Sequence, residues 1–335
     1  MTATDASPVR PRFIANGAPS LEPVHFDLER IPTYVFEKAS EASRTAAHEI
    51  GVLIEQKQAA GEQAVLGLAT GSTPTAIYAE LIRMHREEGL SFGNVVTFNL
   101  DEYWPMEPDS LQSYRRFMDE HLFAHIDIDP ANVHVPDGTV APEEVRAYCA
   151  AYEQAIADAG GVDLQLLGIG RTGHIGFNEP GSGRNSTTRV IHLDSVTRKD
   201  AASDFFGEEN VPTRAITMGV GSILASKRII LLAFGEGKSR VVRAAIEGTV
   251  TDAIAASFLQ EHPAASMYLD AAAAATMTRM ARPWLVGSIE WTDRRVRQAV
   301  VTLAEDTKHS ILKLTSEDYN EHGLQDLLGE RGSAY

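Results

Sequence analysis

The apolar positions of this chain follow two rhythms. Residues 42–58 place apolar side chains at helical spacing, whereas residues 64–69 form a short, continuous apolar run of the kind that makes a buried strand. That run enters Thr70-Gly-Ser-Thr-Pro74, which predicts a second helix over residues 74–87, with Thr73 as N-cap and Pro74 at the first helical position. The same alternation continues with strand 95–100, helix 113–121, helix 143–157, strand 162–167, strand 228–234, helix 238–247, strand 264–269 and an alanine-rich helix over 271–280. Strands that are apolar throughout, separated by amphipathic helices, predict an α/β chain: a Rossmann-like, doubly wound, mainly parallel sheet with helices on both faces.

The ends of the chain break this rhythm. Residues 1–30 are polar and carry Pro8, Pro11, Pro19 and Pro23, which predicts a flexible N-terminal arm. The main domain is expected over 31–287, closing with Pro283-Trp-Leu-Val-Gly287. A small C-terminal extension, 288–335, is predicted to hold a helix over 293–304, a strand over 311–314 and a short helix near Leu324.

Composition narrows the class of function. At 335 residues with 44% hydrophobic and 23% charged residues, the chain has the make-up of a soluble globular protein with a large core. Thirty basic against 46 acidic residues give a net charge of −16, a surface that repels polyanions, so no nucleic-acid partner is expected. The first thirty residues lack the basic start and apolar core of a signal peptide, and no segment approaches the ~20 apolar residues that span a membrane, so a cytoplasmic location is expected. The single cysteine, Cys149, reads as a buried structural thiol. His85, His121 and His262 lack metal-ligand spacing, and neither a metal nor another cofactor is expected.

The chemistry is concentrated where strands end, which is where an open α/β sheet places its ligand crevice. Thr70, Gly71, Ser72 and Thr73 offer hydroxyls and backbone N–H groups at a helix start, suited to a phosphate but without the lysine of a P-loop. Phe98-Asn-Leu-Asp-Glu-Tyr103 sets two adjacent carboxylates at another strand end; Asp101 is the expected base, with Glu102 as the alternative. Gly168-Ile-Gly-Arg-Thr-Gly173 is a literal G-x-G-x-x-G with Asp194 some twenty residues on. However, a dinucleotide site needs that turn to run straight into a helix, and Phe177-Asn-Glu-Pro-Gly-Ser182 is turn chemistry. His174, flanked by Gly173 and Gly176 with Glu179 nearby, is therefore the functional member of this segment. Lys238 follows Phe234-Gly-Glu-Gly237 at another helix start, where a bound anion would complement it.

Together these segments resemble the glucosamine-6-phosphate deaminase family, whose fold is shared with 6-phosphogluconolactonases and ribose-5-phosphate isomerases. The resemblance spans roughly residues 32–280. It is carried by Leu66-Gly-Leu-Ala-Thr-Gly-Ser-Thr-Pro74, Val96-Thr-Phe-Asn-Leu-Asp-Glu-Tyr103, Gly173-His-Ile-Gly-Phe-Asn-Glu-Pro180 and Ala215-Ile-Thr-Met-Gly-Val-Gly221, in the family's order. It implies conversion of glucosamine 6-phosphate to fructose 6-phosphate and ammonia without a cofactor, with a small sugar phosphate as ligand and a homo-oligomeric assembly. By the same resemblance Asp101 moves a proton between C2 and C1, His174 assists ring opening, Glu179 orients His174, and Thr70 to Thr73 with Lys238 hold the phosphate.

This sequence departs from the family in two places. Thr172 stands where the family has an aspartate two residues before the histidine, and Asp204 stands where it has an arginine before an aromatic pair, here Phe205-Phe206. Threonine cannot supply the charge of the missing carboxylate. Arg171 or Arg198 is the expected source of the missing cation. The Arg171-Thr-Gly-His174 form and the tail resemble a longer subgroup in which this unit precedes a metal-dependent, deacetylase-like domain, a domain not found in these 335 residues. The family's activator site for N-acetylglucosamine 6-phosphate is matched at Ser182 and Arg189 but not at Gly183 and Ile191. Two other readings remain at this stage: a non-catalytic sugar-phosphate sensor, and a related sugar-phosphate lactonase or isomerase.

Overall fold

The computed structural model describes residues 28–331; the expected N-terminal arm lies, apart from its last three residues, outside them. Residues Glu29–Ala274 form one compact unit and residues 275–331 a second. The break falls after Ala274, ahead of the Pro283-Trp-Leu-Val-Gly287 segment.

The first unit is built on a seven-stranded parallel sheet. Its strands in chain order are β1 (Thr33–Phe36), β2 (Ala64–Leu68), β3 (Val95–Asn99), β5 (Val133–His134), β6 (Leu164–Leu167), β9 (Arg228–Ala233) and β10 (Ala265–Asp270); in space the order is β1-β10-β9-β6-β2-β3-β5. The helices α1 (Ala39–Ala59), α2 (Ser72–Arg83), α3 (Tyr114–His121), α4 (Val145–Asp158), α5 (Ser195–Ala201), α6 (Val220–Leu224) and α7 (Ser239–Glu247) connect them. Ala46, Ile50 and Ile54 of α1 and Ile77, Tyr78 and Leu81 of α2 pack on Leu66, Leu68, Leu164, Leu166, Ile230 and Leu232 of the sheet. This is the doubly wound α/β architecture that the continuous apolar runs require, because strands covered on both faces have no solvent side to mark with polar residues.

A second, three-stranded antiparallel sheet accompanies it: β4 (Asp101–Tyr103), β8 (Arg214–Thr217) and β7 (Arg189–His192), in the order β4-β8-β7. The hydrophobic pattern does not predict these strands. They are three or four residues long, and β4 pairs with β8 across more than a hundred positions, as Asp101 does with Thr217.

Three local expectations are corrected. Thr73 is not the N-cap of α2; Gly71, at φ 95°, holds that position and gives the helix no side-chain cap. Residues 271–280 are not one helix. The Asp270 carboxylate accepts the N–H of Ala273 at 2.8 Å and binds the N–H of Gly235 at 3.1 Å, folding the alanines into turns despite their helix propensity. Only Thr278–Ala281 is helical (α8). Residues 311–314 are not a strand; Ile311–Lys313 is a single 3-10 turn with Leu312 91% exposed, and no partner strand for it is found among the described residues.

Within residues 275–331, α9 (Asp293–Thr307), α10 (Ser316–Glu321) and α11 (Gln325–Arg331) enclose a core of Trp291, Val296, Val300, Leu303, Tyr319, Leu324 and Leu327. A capping box between Thr315 and Asp318 fixes the start of α10. Among the described residues, no helix is long and apolar enough to cross a membrane.

Candidate active site

Strands β2 and β6 are neighbours, yet the chain leaves β2 toward β3 on one side and β6 toward β9 on the other. This reversal opens a crevice at the carboxyl ends of the strands. A pocket of about 280 Å³ lies there. The loops after four strands line it: Thr70, Gly71, Ser72 and Thr73 after β2, Asp101 after β3, Gly168, Gly170 and His174 after β6, and Lys238 after β9.

Asp101 opens β4 beside the backbone of Gly176, where an added Cβ would lie 3.3 Å from Asp101 Oδ2. The residue is 6% exposed, and no side-chain hydrogen bond or ion pair to it is found among the described residues. Burial, reinforced by the charge of Glu102, pushes its carboxyl up to about 8.

Glu102 points the other way, as successive strand residues must. Its oxygens accept the N–H groups of Tyr103 at 2.9 Å, Tyr114 at 3.0 Å and Arg115 at 3.0 Å, and the Ser113 hydroxyl at 2.9 Å. It therefore caps the start of α3, and it is absent from the pocket lining. Burial raises its carboxyl while these bonds pull it down, leaving it above the ordinary value.

A Glu102→Gln variant is expected to remove a charge beside Asp101, lowering the Asp101 pKa and moving the acidic limb of any Asp101-dependent rate to lower pH. It should also cost about 1–3 kcal/mol of stability through the lost acceptor. A pH–rate profile together with thermal unfolding checks both; an unmoved limb would mean that Glu102 does not influence Asp101.

The tight turn after β6 presents His174. Its Nδ1 lies 2.9 Å from the Thr172 hydroxyl, 3.2 Å from Glu179 Oε2 and 3.4 Å from the Thr197 hydroxyl. An ionised carboxylate can only accept, so the Glu179 contact puts an imidazole proton on Nδ1 and fixes the ring by that nitrogen. Burial pushes the Glu179 carboxyl up, but hydrogen bonding and charge from His174, with bonds from Thr197 and the Asp194 N–H, hold it below the ordinary value. Thr172 bridges the pair, its hydroxyl 3.4 Å from Glu179 Oε2. Asp194 serves as N-cap of α5, accepting the Val196 N–H at 2.7 Å, which is a structural task rather than ribose recognition.

The opposite end of the pocket is suited to an anion. α2 begins at Ser72, after the Gly71 N-cap, without a side-chain cap, leaving N–H groups of its first turn available. Lys238 is half-buried, its ammonium pKa lowered chiefly by burial, and no ion pair to it is found among the described residues. Arg171 does not reach the pocket lining; it pairs with Asp200 at 2.9 Å. Arg198 lies outside the lining as well, 3.6 Å from Glu208.

Several lining residues have no local sequence signal. Tyr103 and Tyr114 stand with their hydroxyls 3.4 Å apart, Tyr114 stacks on Phe177, and Phe205 packs edge-on against Tyr103. Asp200, Ala201 and Asp204, from α5 and the turn after it, complete the wall. The pairing of β4 with β8 and the return of α5 to the turn after β6 bring them to Asp101. Cys149 is buried on α4, its thiol raised by burial, and takes no part in this pocket.

Comparison with known proteins gives one consistent picture. A family model described as glucosamine-6-phosphate isomerases/6-phosphogluconolactonase matches residues 37–269. A glucosamine-6-phosphate deaminase-like protein of Bacteroides thetaiotaomicron is 49% identical over 308 residues, covering 92% of this chain but 46% of that relative, so the chain spans about half its length. A glucosamine-6-phosphate deaminase of Bacillus velezensis is 45% identical over 234 residues, 70% of this chain and 95% of that protein. Among solved structures, a monomeric glucosamine-6-phosphate deaminase superposes with a TM-score of 0.70 at 42% identity, covering 72% of this chain and 98% of its own.

Proposed function

Since the chain belongs to the glucosamine-6-phosphate isomerase and 6-phosphogluconolactonase family, we propose that it deaminates glucosamine 6-phosphate to fructose 6-phosphate and ammonia, in amino-sugar catabolism and in the cytoplasm. The observation that carries this reading is the pairing of two proton-handling groups in one pocket with an anion seat. Asp101 is a buried carboxylate with no side-chain partner among the described residues, raised to about 8, and His174 is an imidazole held through Nδ1 by Glu179. Lys238 and the uncapped start of α2 supply the seat.

In this reading His174 Nε2 takes the proton of the C1 hydroxyl and returns it to the ring oxygen, opening the pyranose. The ionised Asp101 then removes the C2 proton of the open aldose and delivers it to C1, while a proton passes from the amino group to O1, leaving a C1 hydroxyl and an imine at C2. Water adds to that carbon, and the C–N bond breaks to release ammonia and the ketose. No electrons are gained or lost overall and no redox partner is needed. Tyr103 and Tyr114 stay protonated under burial and serve as hydrogen-bonding groups on the wall.

Thr172 and Asp204 favour one competing reading, a sugar-phosphate sensor whose relay has lost a carboxylate. A coupled ammonia assay on purified protein decides between them, run with and without N-acetylglucosamine 6-phosphate and compared with 6-phosphogluconolactone and ribose 5-phosphate. Ammonia release from glucosamine 6-phosphate is expected. Hexose phosphate binding without any ammonia over long incubation would establish the sensor instead.

A further inference from the structure

A phosphate monoester carries close to two negative charges near neutral pH, yet beside the start of α2 the pocket lining offers it one lysine, and besides Asp101 it holds two further carboxylates, Asp200 and Asp204. A second cation stands immediately behind that surface. Arg171 donates its Nε–H to Asp200 Oδ2 at 3.0 Å and sets Nη2 2.9 Å from Oδ1. Both contacts use one edge of the guanidinium. No partner for Nη1 is found among the described residues, so the opposite edge retains unused N–H groups. A carboxylate that saturates one edge of an arginine fixes its plane and leaves the other edge as a preorganised donor for a second anion.

We propose that Asp200 is a positioning residue that holds Arg171 beside Lys238, so that the two cations together seat the substrate's phosphate. This rests on the reading that the pocket takes a sugar phosphate, and it assigns the residue that replaces the cation missing at position 204. Arg171 is assigned rather than Arg198 because its partner Asp200 is part of the pocket lining, whereas Glu208, the partner of Arg198, is not. The Asp200–Arg171 pair bridges α5 and the turn that carries His174, so anion binding and the imidazole share one scaffold. The pair is also largely exposed, at 42% and 55% of the two side chains, so breaking it should cost little folding stability.

The test is a double-mutant cycle with Asp200→Asn, Arg171→Ala and the double variant, with Asp200→Glu as the conservative control. Binding of fructose 6-phosphate is measured by calorimetry, and KM and kcat with glucosamine 6-phosphate. Each single variant is expected to weaken binding about five- to tenfold and raise KM similarly, with kcat within about twofold. The double variant should be no weaker than Arg171→Ala alone, and Asp200→Glu should recover most of the affinity. An Asp200→Asn protein that binds as tightly as wild type or tighter, or effects that simply add, would overturn the proposal. The arms separate cleanly: absence of ammonia release by the wild type overturns the deaminase reading, while the calorimetric cycle alone decides the clamp.

Discussion

Asp101→Asn is expected to lower kcat for ammonia release by about 10²–10⁴ while making the protein more stable at alkaline pH, the range a positioned general base supplies. The amide keeps the shape of the side chain but cannot accept the C2 proton. The stability effect follows from the same burial. In the folded protein the Asp101 carboxyl is held at about 8 against an ordinary value of 3.8, so the native state retains a proton that the unfolded chain releases between these values. Wild-type stability from this group is therefore full below about pH 4, declines as pH rises toward 8, and is lost above it. Asparagine escapes this loss, and its gain over wild type should reach about 1–3 kcal/mol above pH 8 and vanish in acid. Catalysis requires the ionised form, so wild-type kcat/KM should climb with pH toward 8. Ammonia assays and thermal unfolding at acidic and alkaline pH measure the two effects. Wild-type turnover by the variant would remove Asp101 as the base, and an equal melting temperature at both pH values would mean that its carboxyl is not desolvated.

The opposed signs of those effects bear on what sequence can convey. Strands 64–69, 95–100, 162–167 and 264–269 were legible because a strand covered on both faces is apolar throughout, and the parallel sheet follows from their alternation with helices. The antiparallel sheet was not, since Asp101–Tyr103 and Arg189–His192 are polar or mixed and pair only through distant chain. Adjacency alone separates Asp101 from Glu102, but which of them faces the crevice is fixed by the backbone N–H groups at the start of α3 that claim Glu102. Thr197 and Asp200 carry no motif; they meet the His174 turn because α5 returns across it, and the contact between residues 171 and 200 has no local signature. Propensity failed where a single side chain redirected the backbone, as Asp270 does to the alanines after it.

Gly170→Ala is expected to lower kcat by about 10²-fold, although the residue touches no reacting atom, because a misplacement of about 1 Å in a catalytic group costs that much. Gly170 is the second glycine of Gly168-Ile-Gly-Arg-Thr-Gly173, where a dinucleotide fingerprint would use it to admit a pyrophosphate. Here it admits the imidazole. A Cβ at this position would lie 2.1 Å from His174 Nε2, 2.2 Å from Cε1 and 2.4 Å from Cδ2. The backbone has little freedom to yield, since the Gly170 N–H donates to the His174 carbonyl and its own carbonyl accepts the Gly173 N–H, both at 3.0 Å. The ring must move instead, and doing so pulls Nδ1 from Thr172 and Glu179. The fold should survive at a cost of about 1–3 kcal/mol for overpacking, and fructose 6-phosphate affinity should stay near wild type because Lys238 and the start of α2 are untouched. Gly168→Ala is the matched control, as its added Cβ meets nothing within 4 Å. Kinetics and calorimetry on both variants test the assignment: if Gly168→Ala loses as much activity as Gly170→Ala, or neither loses any, the glycines do not serve to seat His174.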